Sequence, residues 1–80
     1  MEIRQLEYFR KIALTGSINE AARQLNMSQP PLSYQLKLLE EELDVVLFER
    51  SRQGVTMTEA GKLLYQRSEE LLQFADRSEE

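Results

Sequence analysis

The chain has 80 residues, 41% of them hydrophobic, which suits one small domain and is too short for two independent cores. It contains no cysteine and no histidine, which excludes disulfides and the common zinc-ligand sets. The formal net charge is −4 and the pI is near 4.9, a balance that does not by itself point to nucleic acid.

The charge is unevenly spread. Residues 1–39 carry five basic side chains against three acidic ones, and residues 40–80 carry five against eleven. Exposed charges farther apart than a Debye length, about 8–10 Å in ordinary salt, barely feel each other, so a local basic face is compatible with the acidic total. The longest apolar run, Val45-Val46-Leu47-Phe48, is far too short to span a membrane, and Met1-Glu2-Ile3-Arg4 carries no signal-peptide pattern. The expectation is a cytoplasmic protein without a membrane partner. A core this small is marginal, so a second protein chain is expected to help hold it.

The first helix is predicted over 3–14, with Ile3, Leu6, Phe9 and Ala13 at helical spacing, Tyr8 and Ile12 beside them, and Gly16 as its stop. Ser17-Ile18-Asn19-Glu20 reads as a reciprocal capping box opening a short helix with Ala21, Ala22 and Leu25 on one face. Asn26-Met27 form the turn. Ser28 is expected to cap a third helix, with Pro30 and Pro31 in its first turn and Leu32, Leu36, Leu39 and Leu43 as its buried stripe. Two short helices joined by a tight turn make a helix-turn-helix pattern. The period then changes: residues 46–50 and 55–57 are strand-like around Ser51-Arg52-Gln53-Gly54, which predicts a small hairpin, or wing.

Thr58 is expected to cap a last helix running from Glu59 to the end of the chain. Its apolar stripe, Ala60, Leu64, Leu71 and Ala75 with Leu63, Leu72 and Phe74 alongside, is wider than a small domain covers, which points to a partner helix. Leu64, Leu71, Leu72, Phe74 and Ala75 are the dimerisation candidates. The chain ends on Ser78-Glu79-Glu80, acids where a helix C-terminus prefers cations, which suggests a piece of a longer protein. The predicted organisation is a winged helix-turn-helix over 1–58 and a linker or dimerisation helix over 59–80.

Catalysis has little to stand on. There is no histidine or cysteine, no glycine-rich phosphate loop among three glycines, and no strained nucleophile motif around any serine. No metal or cofactor is expected. The third helix is more informative. At about 100° per residue, Ser33, Lys37, Pro30 and Tyr34 fall away from the leucine stripe, with Gln29 on the exposed first turn. This half is polar and free of acids until Glu40, which suits a DNA major groove: glutamine pairs with adenine, and serine or tyrosine meets a base edge or phosphate. The same pattern describes an ordinary solvated helix face equally well. Arg50 and Arg52 on the wing suit phosphate or a narrow minor groove, or pair with Glu49 or Asp44 as plain surface arginines.

Over essentially its whole length the chain resembles the N-terminal domain of LysR-type transcriptional regulators. The matching stretches are Leu6-Glu7-Tyr8-Phe9, Gly16-Ser17-Ile18-Asn19-Glu20-Ala21-Ala22, Leu25 through Leu39 with SQPPLSYQLKLLE at its centre, and Leu47-Phe48-Glu49-Arg50 on to Thr58-Glu59-Ala60-Gly61. The resemblance implies sequence-specific binding of double-stranded DNA, with the third helix in the major groove, the wing at the flanking minor groove and the last helix pairing two subunits. It implies dimers or tetramers on interrupted palindromes, and a further C-terminal domain that senses a small-molecule effector. Carried over by position, it assigns DNA contact to Gln29, Pro30, Ser33, Tyr34 and Lys37 on the helix and to Arg50, Arg52 and Gln53 on the wing. Tyr34 stands where arginine or glutamine is common, and Gln53 where arginine is usual. The competing reading is a winged-helix module for protein–protein contact, which the acidic pI would suit.

Overall fold

The computed structural model describes residues 1–78, with side chains as far as Leu72. Helix α1 (Ile3–Thr15) buries Leu6, Phe9 and Ile12 and stops at Gly16, whose φ of 69° lies in the left-handed region. Helix α2 (Ile18–Gln24) starts at Ser17, whose hydroxyl accepts from the Glu20 N–H at 3.1 Å. The reciprocal half of the predicted capping box does not form. The Glu20 carboxylate instead takes hydrogen bonds from Arg23 and Gln24, and the Arg23 guanidinium holds it below the usual carboxylate range.

Helix α3 (Gln29–Leu43) buries Leu32, Leu36 and Leu39. Ser28 occupies its N-cap position but its side chain makes no capping bond. The sequence supplies the reason: a cap side chain accepts from the second or third helical N–H, and those residues are Pro30 and Pro31, which have none.

The wing is an antiparallel pair, β1 (Phe48–Ser51) and β2 (Gly54–Met57), with Phe48 opposite Met57 and Ser51 opposite Gly54 across the Arg52-Gln53 turn. Strand β1 begins two residues later than the sequence pattern suggests. The backbone groups of Val46 and Leu47 are engaged elsewhere: Leu47 N–H donates to Glu40 Oε2 at 2.7 Å, Leu47 C=O accepts from Thr58 N–H at 3.0 Å, and Val46 C=O accepts from the Thr58 hydroxyl. Helix α4 (Glu59–Ser78) then leaves from Thr58, whose side chain caps Gly61 N–H as expected.

Among the described residues, four helices and a two-stranded hairpin therefore make a mainly helical winged helix-turn-helix with a long final helix. Phe9, Ile12, Leu32, Leu39 and Leu47 are fully buried at its centre. The Phe9 ring lies 5.3 Å from that of Phe48 and 6.5 Å from that of Tyr65, so α1, the wing and α4 meet on one side chain. Arg10 fastens α4 from outside. Its guanidinium stacks 4.4 Å from the Tyr65 ring centre and donates to Tyr65 C=O and to the fully buried Ser68 hydroxyl.

The first turn of α4 approaches the chain so closely that Gly61 has no room for a side chain. A Cβ there would sit 2.2 Å from the Leu47 carbonyl oxygen. Overpacking of this kind costs about 1–3 kcal/mol, more than the gain of up to about 1 kcal/mol that alanine brings over glycine in a helix. Gly61→Ala is therefore expected to lower the thermal midpoint by about 5 °C or more at matched concentration, while Gln66→Ala on the exposed face of α4 leaves it nearly unchanged. A Gly61→Ala protein as stable as the parent would contradict this packing.

Candidate nucleic-acid interface

With its leucine stripe buried, α3 has no freedom to rotate, and the opposite face is fixed by elimination. Pro30, Tyr34 and Lys37 are exposed, Tyr34 at 59%, and Gln29 and Ser33 are half-buried. The α2 to α3 turn that aims this face is closed by Asn26 in the left-handed region (φ 56°) and by Met27 N–H donating to Ala22 C=O at 2.9 Å. Gln5 of α1 braces the helix from behind, its amide donating to Gln35 at 3.3 Å. On the outer face Gln29 Nε2 donates to Ser33 Oγ, so these two candidates are joined.

The wing is docked by two glycines distant in sequence. Val55 N–H donates to Gly16 C=O at 3.0 Å, and Gly54 lies against the same carbonyl, where a Cβ would come within 2.2 Å. Gly54 also takes a φ of 126°, a region that side-chain-bearing residues rarely adopt. This contact carries the hairpin tip to the start of α2 and to the first turn of α3. Between them lies an open cleft lined by Gln29, by Ser17 and Asn19, and by Arg50, Arg52 and Gln53. Both arginines are exposed, and neither is in an ion pair among the described residues, with Glu49, Asp44 or any other acid.

The structure thus brings together Gln29, Arg50, Arg52 and Gln53, with Ser33 attached through Gln29. Lys37 lies apart from that cleft, in a recess it shares with Glu40, Glu41, Asp44 and the exposed Val45 and Val46. Sequence reasoning did not single out Asn19, which is exposed at the rim of the cleft. In the sequence it appears as the interior of a capping motif and of a family-like stretch, and the contact that brings the wing beside it spans residues 16 and 54.

The candidates on α4 divide. Leu64 is half-buried and packs on the chain's own core with Ala60 and Tyr65, Leu72 is half-buried, and Leu71 is 51% exposed. Leu63 is exposed as well, beside a shallow apolar groove formed with Leu43 and Val45. The side chains of Phe74 and Ala75 lie outside the described residues.

This arrangement has close counterparts. HTH-type transcriptional regulator BsdA of Bacillus subtilis (strain 168) is 51% identical over 73 residues, covering 90% of this chain and 25% of that protein. HTH-type transcriptional regulator ClcR of Pseudomonas putida is 46% identical over 78 residues, covering 98% of this chain and 26% of its own length. The chain therefore spans about a quarter of the length of the curated relatives it matches. Among solved structures, the complex of the CbnR DBD with DNA superposes with a TM-score of 0.94 at 44% identity, covering 98% of this chain and 90% of that one. The family model described as bacterial regulatory helix-turn-helix protein, lysR family, matches residues 3–62. With that match over most of its length, and with regulators of the same kind on either side of half-identity, the chain belongs to the LysR family of bacterial helix-turn-helix regulatory proteins.

Proposed function

We propose that this chain binds double-stranded DNA sequence-specifically, as the DNA-binding part of a bacterial transcription regulator. The observation that carries this is the cleft in which the first turn of α3 faces two wing arginines that are in no ion pair among the described residues. A helix that presents Gln29, Pro30, Ser33 and Tyr34 outward, without an acid before Glu40, fits a major groove. Arg50 and Arg52, with Gln53 between the strands, then meet the sugar–phosphate rim and the adjacent minor groove. Lys37 serves as a phosphate contact further along α3. The kinship with the CbnR DBD, whose complex with DNA is known, supports the same assignment.

In this reading residues 1–58 form the DNA-binding unit and 59–80 the linker helix. The protein works in the bacterial cytoplasm, on the nucleoid, and a small effector acts only through a domain beyond this chain. Binding-site selection should return a preferred interrupted palindrome, bound about a thousandfold or more tighter than random duplex at physiological salt. Equal affinity for selected and random DNA, or none for either, would leave protein–protein contact as the better account.

Leu63 and Leu71 project from α4 unburied, and pairing with a second copy would cover them. Burying a large apolar side chain is worth about 1.5–3 kcal/mol, so Leu71→Asp is expected to give a monomer in sedimentation and much weaker DNA binding. A parent chain that is monomeric at roughly tens of micromolar would contradict pairing through α4.

Each phosphate contact adds about −0.9 to the slope of log affinity against log salt concentration. Arg52 is at the wing turn and exposed, so Arg52→Ala should reduce the magnitude of that slope by about one unit. An unchanged slope would mean that the wing tip does not reach DNA.

A further inference from the structure

We propose that Ser33 is a positioning residue for Gln29, holding its amide so that it reads adenine, an inference that rests on the DNA-binding function proposed above. Gln29 Nε2 donates to Ser33 Oγ one helical turn further on. Each makes no other side-chain hydrogen bond among the described residues, and both are half-buried while Pro30, Tyr34 and Lys37 on the same outer face are exposed. Beneath Gln29 the backbone is stiff, because Pro30 and Pro31 fix φ through the first turn.

A glutamine amide has two N–H donors and one carbonyl acceptor. With one N–H committed to Ser33, the free edge offers one N–H and Oε1. In the major groove adenine is the base with the matching pair, N7 to accept and the N6 amino group to donate. Guanine presents two acceptors there, for which only one donor is left. Cytosine and thymine each match one of the two free groups. The bond also restricts a long, flexible side chain before DNA arrives, so less rotamer freedom is lost on binding. Ser33 is the shorter of the two and its oxygen already accepts from Gln29, so its contribution passes through the glutamine.

The test is a double-mutant cycle with the 80-residue chain on its selected DNA site, carrying each of the four bases at the position whose preference Gln29→Ala relaxes. That position should prefer adenine. Ser33→Ala should lower the preference by about three- to tenfold, and Ser33→Thr, which keeps the hydroxyl, should restore most of it. In the Gln29→Ala background, Ser33→Ala should change nothing further. Both alanines sit on the outer side of α3, where alanine favours the helix, and matched thermal melts check that each variant is folded. Additive losses would mean that Ser33 touches DNA on its own and would overturn the positioning role. A preference for another base at that position would overturn the adenine assignment. Failure of the parent chain to select any sequence would instead remove the DNA-binding function, and this inference with it.

Discussion

Leu47 is the point at which the three parts of the molecule are tied together. Its side chain is fully buried in the shared core, which is worth about 1.5–3 kcal/mol by area alone. Its N–H is held by Glu40 of α3 and its carbonyl by Thr58 at the start of α4, so the backbone of this one residue joins α3 to α4. The same carbonyl admits α4 only because Gly61 lacks a side chain. Because buried polar groups without partners are costly, the arrangement satisfies both backbone groups of a residue that leaves the helix before a strand has begun. The departure of α4 follows from that corner, while the wing tip is set by the separate contact of Gly54 and Val55 with Gly16.

Several acids of this acidic chain are engaged away from the cleft between α3 and the wing. Glu40 is drawn back to cap Leu47, and Glu42 pairs with the N-terminal amine at 2.6 Å. Glu20 is matched with Arg23 on the exposed side of α2. What remains at the cleft between α3 and the wing is two arginines, amides and hydroxyls. At physiological ionic strength the remaining acids are screened over about 8 Å, so the net charge says little about this face.

Much of the fold was legible because its signals are local. The leucines of α3, the stop at Gly16 and the caps at Ser17 and Thr58 each act within a turn or two of themselves. The errors were local signals overridden by a competing partner. Glu20 looked like half of a capping box but met an arginine three residues on, and Ser28 looked like a cap but faced two prolines with no N–H to give. Val46 and Leu47 read as strand because of their side chains, while their backbone groups were needed at α3 and α4. The cleft was the least legible part. Helix angle, turn position and the family resemblance mark its candidate residues, but their convergence depends on Gly16 meeting Gly54, and Asn19 acquires a place there through that contact. Lys37 is exposed, as helix angle predicts, but lies outside the cleft, in a recess lined also by Glu40, Glu41, Asp44, Val45 and Val46.

The central claim is that the outer face of α3 and the wing tip form one continuous DNA-binding surface. Amide chemical-shift mapping of this chain during titration with its selected duplex tests it directly. The account predicts the largest shifts at Gln29, over residues 32–37 and over 50–54, with a smaller set at 17–19, and little change along the exposed face of α1. Shifts concentrated instead at Val45, Val46 and the exposed side of α4, with α3 and the wing silent, would contradict it.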